Sequence, residues 1–195
     1  AALAGGQKIT QVVGAGVEEN QLEFQLLVAD GDAVRALALR GDMAADFDFM
    51  LGGWAVAHRR LNSRLVGCTE WTEFTGTSTT RKILRGFGNV EDNVLNFPDG
   101  QVRAAAFRAY NEKSNEWAIW WLDGRAPHNL DVPVVGQFNG PIGTFLANDT
   151  LDGKPIIVRF TWNANPGGSP RWEQAFSGDN GKSWETNWIM DFIRR

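Results

Sequence analysis

From residue 54 onward the chain alternates apolar and polar residues in short runs. Such a period of two belongs to strands with one buried face. The runs are "WAVAHRRL" (54–61), "CTEWTEFTGTSTT" (68–80), "GNVEDNVLNF" (88–97), "QVRAAAFRAY" (101–110), "NEWAIWWLDG" (115–124), "VVGQFN" (134–139), "GTFLANDTL" (143–151), "PIIVRFTWN" (155–163), "PRWEQAF" (170–176) and "SWETNWIMDFI" (183–193). Turn formers separate many of them: Pro98-Asp99-Gly100, Asn139-Gly140, Asp152-Gly153, Asn165-Pro166-Gly167-Gly168 and Asn180-Gly181. Upstream, Leu22, Phe24, Leu26 and Val28 alternate with Gln21, Glu23 and Gln25, and Asp30-Gly31 precedes "VRALALR", so residues 21–40 read as a further hairpin. Residues 42–52 break the alternation. Phe47, Met50 and Leu51 recur at helical spacing, Asp42 can cap a first turn, and Gly52-Gly53 ends it, which predicts one short helix. The expected architecture is all-β: an antiparallel up-and-down barrel of about ten strands over 42–195 with one short N-terminal helix, preceded by an extension, 1–41, that carries the hairpin.

The last hairpin contains "SGDNGKSW", Ser177–Trp184, which resembles the Asp-box turn of sialidases and other β-propeller proteins. A propeller needs a repeat of roughly 40–50 residues, and the motif occurs once here, without a repeat. Glycoside hydrolysis needs two placed carboxyl groups, and the motif offers one. It reads as a turn. If Asp179-Asn180-Gly181 form a three-residue loop, Phe176 faces Trp184, Gln174 faces Thr186 and Trp172 faces Trp188, so aromatics share one side. Glu173 with Asn187 and Ala175 with Glu185 share the other. Asp179 is then placed to accept turn N–H groups, with Trp184 over the turn.

Composition narrows the function. Nine Trp against one Tyr, with 22 Gly, fit aromatic strands joined by tight turns. The net charge of -4 and the absence of a basic cluster beyond "HRR" at 58–60 argue against nucleic acid. No apolar run reaches the roughly 18 residues of a membrane span. The single cysteine, Cys68, excludes an internal disulfide and fits a reducing, cytoplasmic setting. The chain does not begin with Met, so a processed secreted form stays open. Two histidines, His58 and His128, lie far apart with no ligand-spaced partners, so neither a metal nor another cofactor is expected.

"DFDFMLGGWAVAHRRL" (46–61), "EWTEFTGT" (70–77), "EWAIWWLD" (116–123), "LDGKPIIVRFTW" (151–162) and "RWEQAFSGDNGKSWETNWIMDF" (171–192) together resemble an uncharacterised family of bacterial lipocalin-like, calycin-type domains. The resemblance spans roughly residues 46–194. It implies an antiparallel barrel around a cavity and no particular reaction.

The candidate ligand-binding residues are Trp54, His58, Glu73, Trp121, Trp172, Gln174, Thr186 and Trp188. Trp54, Trp121, Trp172 and Trp188 would form walls. His58 continues the face of Trp54 and Val56, and Gln174 and Thr186 are polar groups among aromatics, the kind that orient a mainly apolar ligand. The bland alternatives are a satisfied core histidine, a mutual Gln–Thr hydrogen bond and a solvated strand Glu. Arg159, between Ile157 and Thr161, is expected to point outward. The leading function is binding of a small, mainly apolar or aromatic molecule. The alternative is a cofactor-free isomerase, cyclase or hydratase with His58 and a Glu as its acid/base pair. A third reading is an interaction module in which an exposed Trp surface and the 21–40 hairpin form a homodimer; Trp120, whose side chain points away from Trp117, Ile119 and Trp121, would mark a dimer or helix contact.

Overall fold

A computed structural model of the chain describes residues 17–18, 21–22 and 44–195. Two compact units divide the chain, Ala1–Met43 and Ala44–Arg195. In the first, strand β1 (Val17–Glu18) pairs antiparallel with β2 (Gln21–Leu22). The rest of the hairpin expected over 21–40 lies outside the described residues, as does Asp42 with its expected cap.

The second unit is a closed barrel of ten antiparallel strands. They are β3 (Gly52–Leu61), β4 (Trp71–Ile83), β5 (Gly88–Phe97), β6 (Gly100–Asn111), β7 (Glu116–Asp123), β8 (Val134–Asn139), β9 (Ile142–Leu151), β10 (Lys154–Asn163), β11 (Arg171–Ser177) and β12 (Glu185–Arg194). Each pairs with the next, and β12 returns to pair with β3 from Trp188↔Arg60 to Arg194↔Trp54. The up-and-down order is the one that short turns between alternating runs impose.

Where a helix was expected over 42–52, the described part is a turn followed by a 3-10 turn, Asp48–Met50. Its backbone bonds run i to i+3, from Met50 N–H to Phe47 O and from Leu51 N–H to Asp48 O. The helical spacing of Phe47 and Met50 was real, because both are fully buried, but an i+3 repeat serves a 3-10 turn equally well. The Phe47 ring inserts among Trp117, Phe138, Phe145 and Trp162, with centroids 5.0–5.9 Å away. It fills one end of the barrel. Trp54 ties the turn to β3 by donating its indole N–H to Met50 O at 2.7 Å.

The β11–β12 hairpin departs from the expected register. Phe176 pairs with Glu185, Ala175 with Thr186 and Trp172 with Met190, and a bulge at Asn187 sets Gln174 opposite Trp188. The connecting loop is longer than three residues, and the bulge restores the inward face that a plain slip would reverse. Trp172 and Trp188 therefore still share the interior. Within the loop, Asp179 accepts the Ser183 N–H at 2.9 Å and the Ser183 hydroxyl at 2.6 Å, while Ser177 Oγ accepts the Gly181 N–H at 2.8 Å. The two bonds from Ser183, with a third from the Ser177 hydroxyl at 2.8 Å, hold the Asp179 carboxyl down at a pKa of about 2. Trp184 lies beside Gly181 and stacks outward on Arg159, whose guanidinium is 4.1 Å from the ring centre.

One close approach inside the barrel depends on a missing side chain. A Cβ built on Gly76 would lie 2.7 Å from His58 Nε2 and 2.5 Å from the Val94 carbonyl. A Cβ on Gly53 would meet nothing within 4 Å. Gly76→Ala should therefore cost roughly 1–3 kcal/mol, whereas Gly53→Ala should change stability by less than about 0.5 kcal/mol. Urea unfolding of the two variants checks the contrast.

Candidate functional site

Strand alternation sends every second side chain inward. Trp54, Trp117, Trp121, Trp162, Trp172 and Trp188 are all on that inner face, as the registers of β3, β7, β10, β11 and β12 require. They do not fill it. A cavity of about 310 Å³ remains.

Its inner end is formed by Trp162, Arg108 and Glu91, each about 2 % exposed. Arg108 donates to Glu91 Oε2 and, at 2.8 Å, to Asn89 Oδ1. Its guanidinium lies 5.0 Å from the Phe47 ring centre and 5.2 Å from that of Trp162. The middle is apolar: Trp121, Phe160, Trp172, Trp188 and Met190 form much of the wall. Trp188 is its hub, edge-on to Trp121 at 6.3 Å and to Trp172 at 5.8 Å. The outer end is charged, with Arg60, Arg64, Asp123, Arg125 and Asp131. Arg125 grips Asp123 through two nitrogens, Nη2 at 2.6 Å and Nε at 3.0 Å. That bonding lowers the Asp123 pKa. Arg60 has its pKa lowered to about 10, first by burial and then by Arg64 and Arg125, with Asp123 opposing. It is a cation at neutral pH all the same.

The sequence-predicted residues separate into two groups. Trp121, Trp172, Gln174 and Trp188 line the cavity. Trp54, His58, Glu73 and Thr186 do not. Trp54 is buried at the Phe47 end, against Phe192 and under Arg194. His58 points inward but is sealed between its neighbours. It stacks on Phe74 with ring centres 4.6 Å apart, and its Nδ1 accepts the Trp188 indole N–H at 3.3 Å. Glu73 is on the outer face, paired with Arg59 at 3.5 Å and 75 % exposed. Thr186 faces away from the cavity, since its partner Ala175 lies between Gln174 and Phe176, which both line it. Gln174 instead donates to Asn187 Oδ1 at 2.7 Å, so the expected Gln174–Thr186 pair is replaced by a Gln174–Asn187 pair across the bulge.

An acid/base pair of His58 with a Glu is not assembled among the described residues. Burial drives the His58 pKa down to about 4, and its hydrogen bond runs to an indole. No three His, Cys, Asp or Glu side chains among the described residues converge as a metal would require.

The cavity's charged residues were not among the predicted ones. One signal was present: Arg60 continues the Trp54–Val56–His58 alternation by one step. Glu91 and Arg108 carried the opposite signal. In "GNVEDNVLNF" the polar set Asn89, Glu91 and Asn93 faces inward, while Val90 and Val94 face out.

A histidine kept neutral by burial makes folding pH-dependent. The unfolded ring takes up a proton near pH 6.5, the folded ring only near pH 4. The folded state thus binds fewer protons through that window, and stability falls as pH drops from 6.5 toward 4. The expected loss due to His58 is roughly 2 kcal/mol between pH 7.5 and pH 5. Urea midpoints of the wild type and His58→Gln at the two pH values test this, and the substitution should remove that part of the slope. Asp179, with its lowered pKa, adds a further loss only below about pH 4, as its carboxylate is protonated.

The search for similar proteins found no family model and no curated protein that matches the chain, so the functional reading rests on the geometry of the cavity.

Proposed function

We propose that this chain is a lipocalin-like binding barrel that holds one small, mainly apolar molecule among Trp121, Trp172 and Trp188. The observation that carries this reading is the cavity of about 310 Å³ left open among large inward side chains. Its size falls at the lower end of small-molecule sites, which run from roughly 300 to 1,000 Å³. Its middle also matches theirs, an aromatic wall with polar groups gathered at the two ends. Gln174, held by Asn187, offers a fixed amide edge in that wall. The flat faces of three indoles set edge-to-face favour planar or flexible apolar ligands over bulky rigid ones.

Ligand entry should change the intrinsic fluorescence of the wall tryptophans. Two substitutions test the site from opposite directions. Ala106→Phe fills the cavity from β6, so it should abolish ligand-induced fluorescence change while leaving the fold intact. Trp172→Ala removes a wall, and it should lower stability by roughly 3–5 kcal/mol and weaken binding. A titration of the wild type with a panel of aliphatic and aromatic ligands that leaves the fluorescence unmoved would overturn the reading.

A further inference from the structure

The apolar wall ends in a cluster of arginines, and their pairing is unequal. Arg108, at the inner end, already has Glu91 and Asn89. Arg125, at the outer end, has Asp123. The side chains of Arg60 and Arg64 have neither a hydrogen bond nor an ion pair among the described residues, and Glu185 acts on Arg64 only at longer range. The Nε of each is buried with no partner there, as is that of Arg108, but Arg108 has its other nitrogens bonded. Arg60 is held flat by rings instead, its guanidinium 5.0 Å from the Trp188 ring centre and 5.7 Å from that of Phe97. Both side chains are half-buried and both line the cavity. Arg60, Arg64 and Phe97 also line an adjoining depression of about 290 Å³, so they stand as a partition between two spaces.

A half-buried guanidinium with an unbonded Nε loses hydration that the protein does not replace. Two of them facing one apolar cavity form a ready receptor for an anion. The sign of the lining agrees. The chain as a whole carries a net charge of -4, yet in the cavity lining four arginines outnumber three carboxylates. The surplus is one positive charge, which suits a monoanion better than a doubly charged phosphate.

Building on the proposed apolar-ligand site, we infer that its ligand is an amphipathic carboxylate whose head is held by Arg60 and Arg64 at the outer end, with its apolar body running inward along Trp188, Trp121 and Trp172. The burial that lowers the Arg60 pKa is consistent with this, because it strengthens any charge pair formed there.

Matched probes separate the head from the body. In calorimetric titrations at pH 8, decanoate should bind the wild type at least tenfold more tightly than decan-1-ol, which has the same chain without the charge. Raising the salt from about 0.05 to 0.5 M should weaken decanoate several-fold and leave decanol unchanged. Arg60→Gln and Arg64→Gln should each weaken decanoate about tenfold and leave decanol within twofold, which also shows that each variant keeps its cavity. Equal affinity for the two probes, or decanoate binding that neither substitution nor salt alters, overturns the carboxylate inference and leaves the apolar site standing. If neither probe binds the wild type, the apolar site fails and the inference fails with it.

Discussion

Everything inside the barrel follows from the closure of β12 onto β3. That pairing joins the last strand of the chain to the first strand of the barrel. It leaves no open edge between them and fixes which side chains share the interior. It also sets Trp188 beside Arg60 and Met190 beside His58, residues that are far apart in sequence. The wall of the cavity and its unpaired cation are both products of that single seam. A barrel of eight strands is just wide enough for side chains to fill. Ten strands enclose more, and even six inward indoles with Phe47 seated at one end leave space.

The two ends of the interior solve the problem of buried charge differently. At the inner end Arg108 and Glu91 form a pair that is almost wholly buried, with Asn89 as a further acceptor and two aromatic rings over the guanidinium. Such a pair adds little net stability, because desolvation offsets attraction, but loss of either partner is costly. It behaves as a fixed, internally neutral part of the wall. At the outer end the same residue type, at Arg60 and Arg64, has no side-chain hydrogen bond or ion pair among the described residues, and Asp123 and Glu185 act on the two only from a distance. Ring faces support Arg60, and a cation–π contact replaces part of what hydration supplied. The contrast is the ground for assigning the proposed ligand's charged head to the outer end.

Much of the architecture was legible from alternation alone. The runs quoted for each strand fall close to β3 through β12, and the turn formers between them mark connections. Trp121, Trp172 and Trp188 were legible as interior because each sits in a run whose alternate residues are apolar. What resisted was non-local. The longer loop and the bulge at Asn187 are invisible to a count of residues across the hairpin: the loop shifts the pairing by one and turns Thr186 outward, and the bulge adds a second step that returns Trp188 and Met190 to the inward face. Glu73 shares a face with Trp71, and that face proved to be the outer one, where Trp71 is covered by Arg59. Glu91 defeats the alternation rule outright, because a buried carboxylate follows its Arg partner on the neighbouring strand, not the hydropathy of its own.

His58 shows how a residue can look functional in sequence and be structural in place. Its position between Trp54 and Arg60 on the inner face promised a polar group in a pocket. In the barrel it is the piece that locks the wall: Phe74 covers its face, Gly76 makes room for its edge, and Trp188 is oriented by donating to its Nδ1. Donating from the indole requires Nδ1 to be unprotonated, so the same neutrality that burial imposes is what lets the histidine hold Trp188 in place. Protonation would remove that acceptor and place a cation beside Arg60, the register partner of Trp188. The link therefore runs from one imidazole, through the tryptophan it orients, to the ring face on which the unpaired arginine rests.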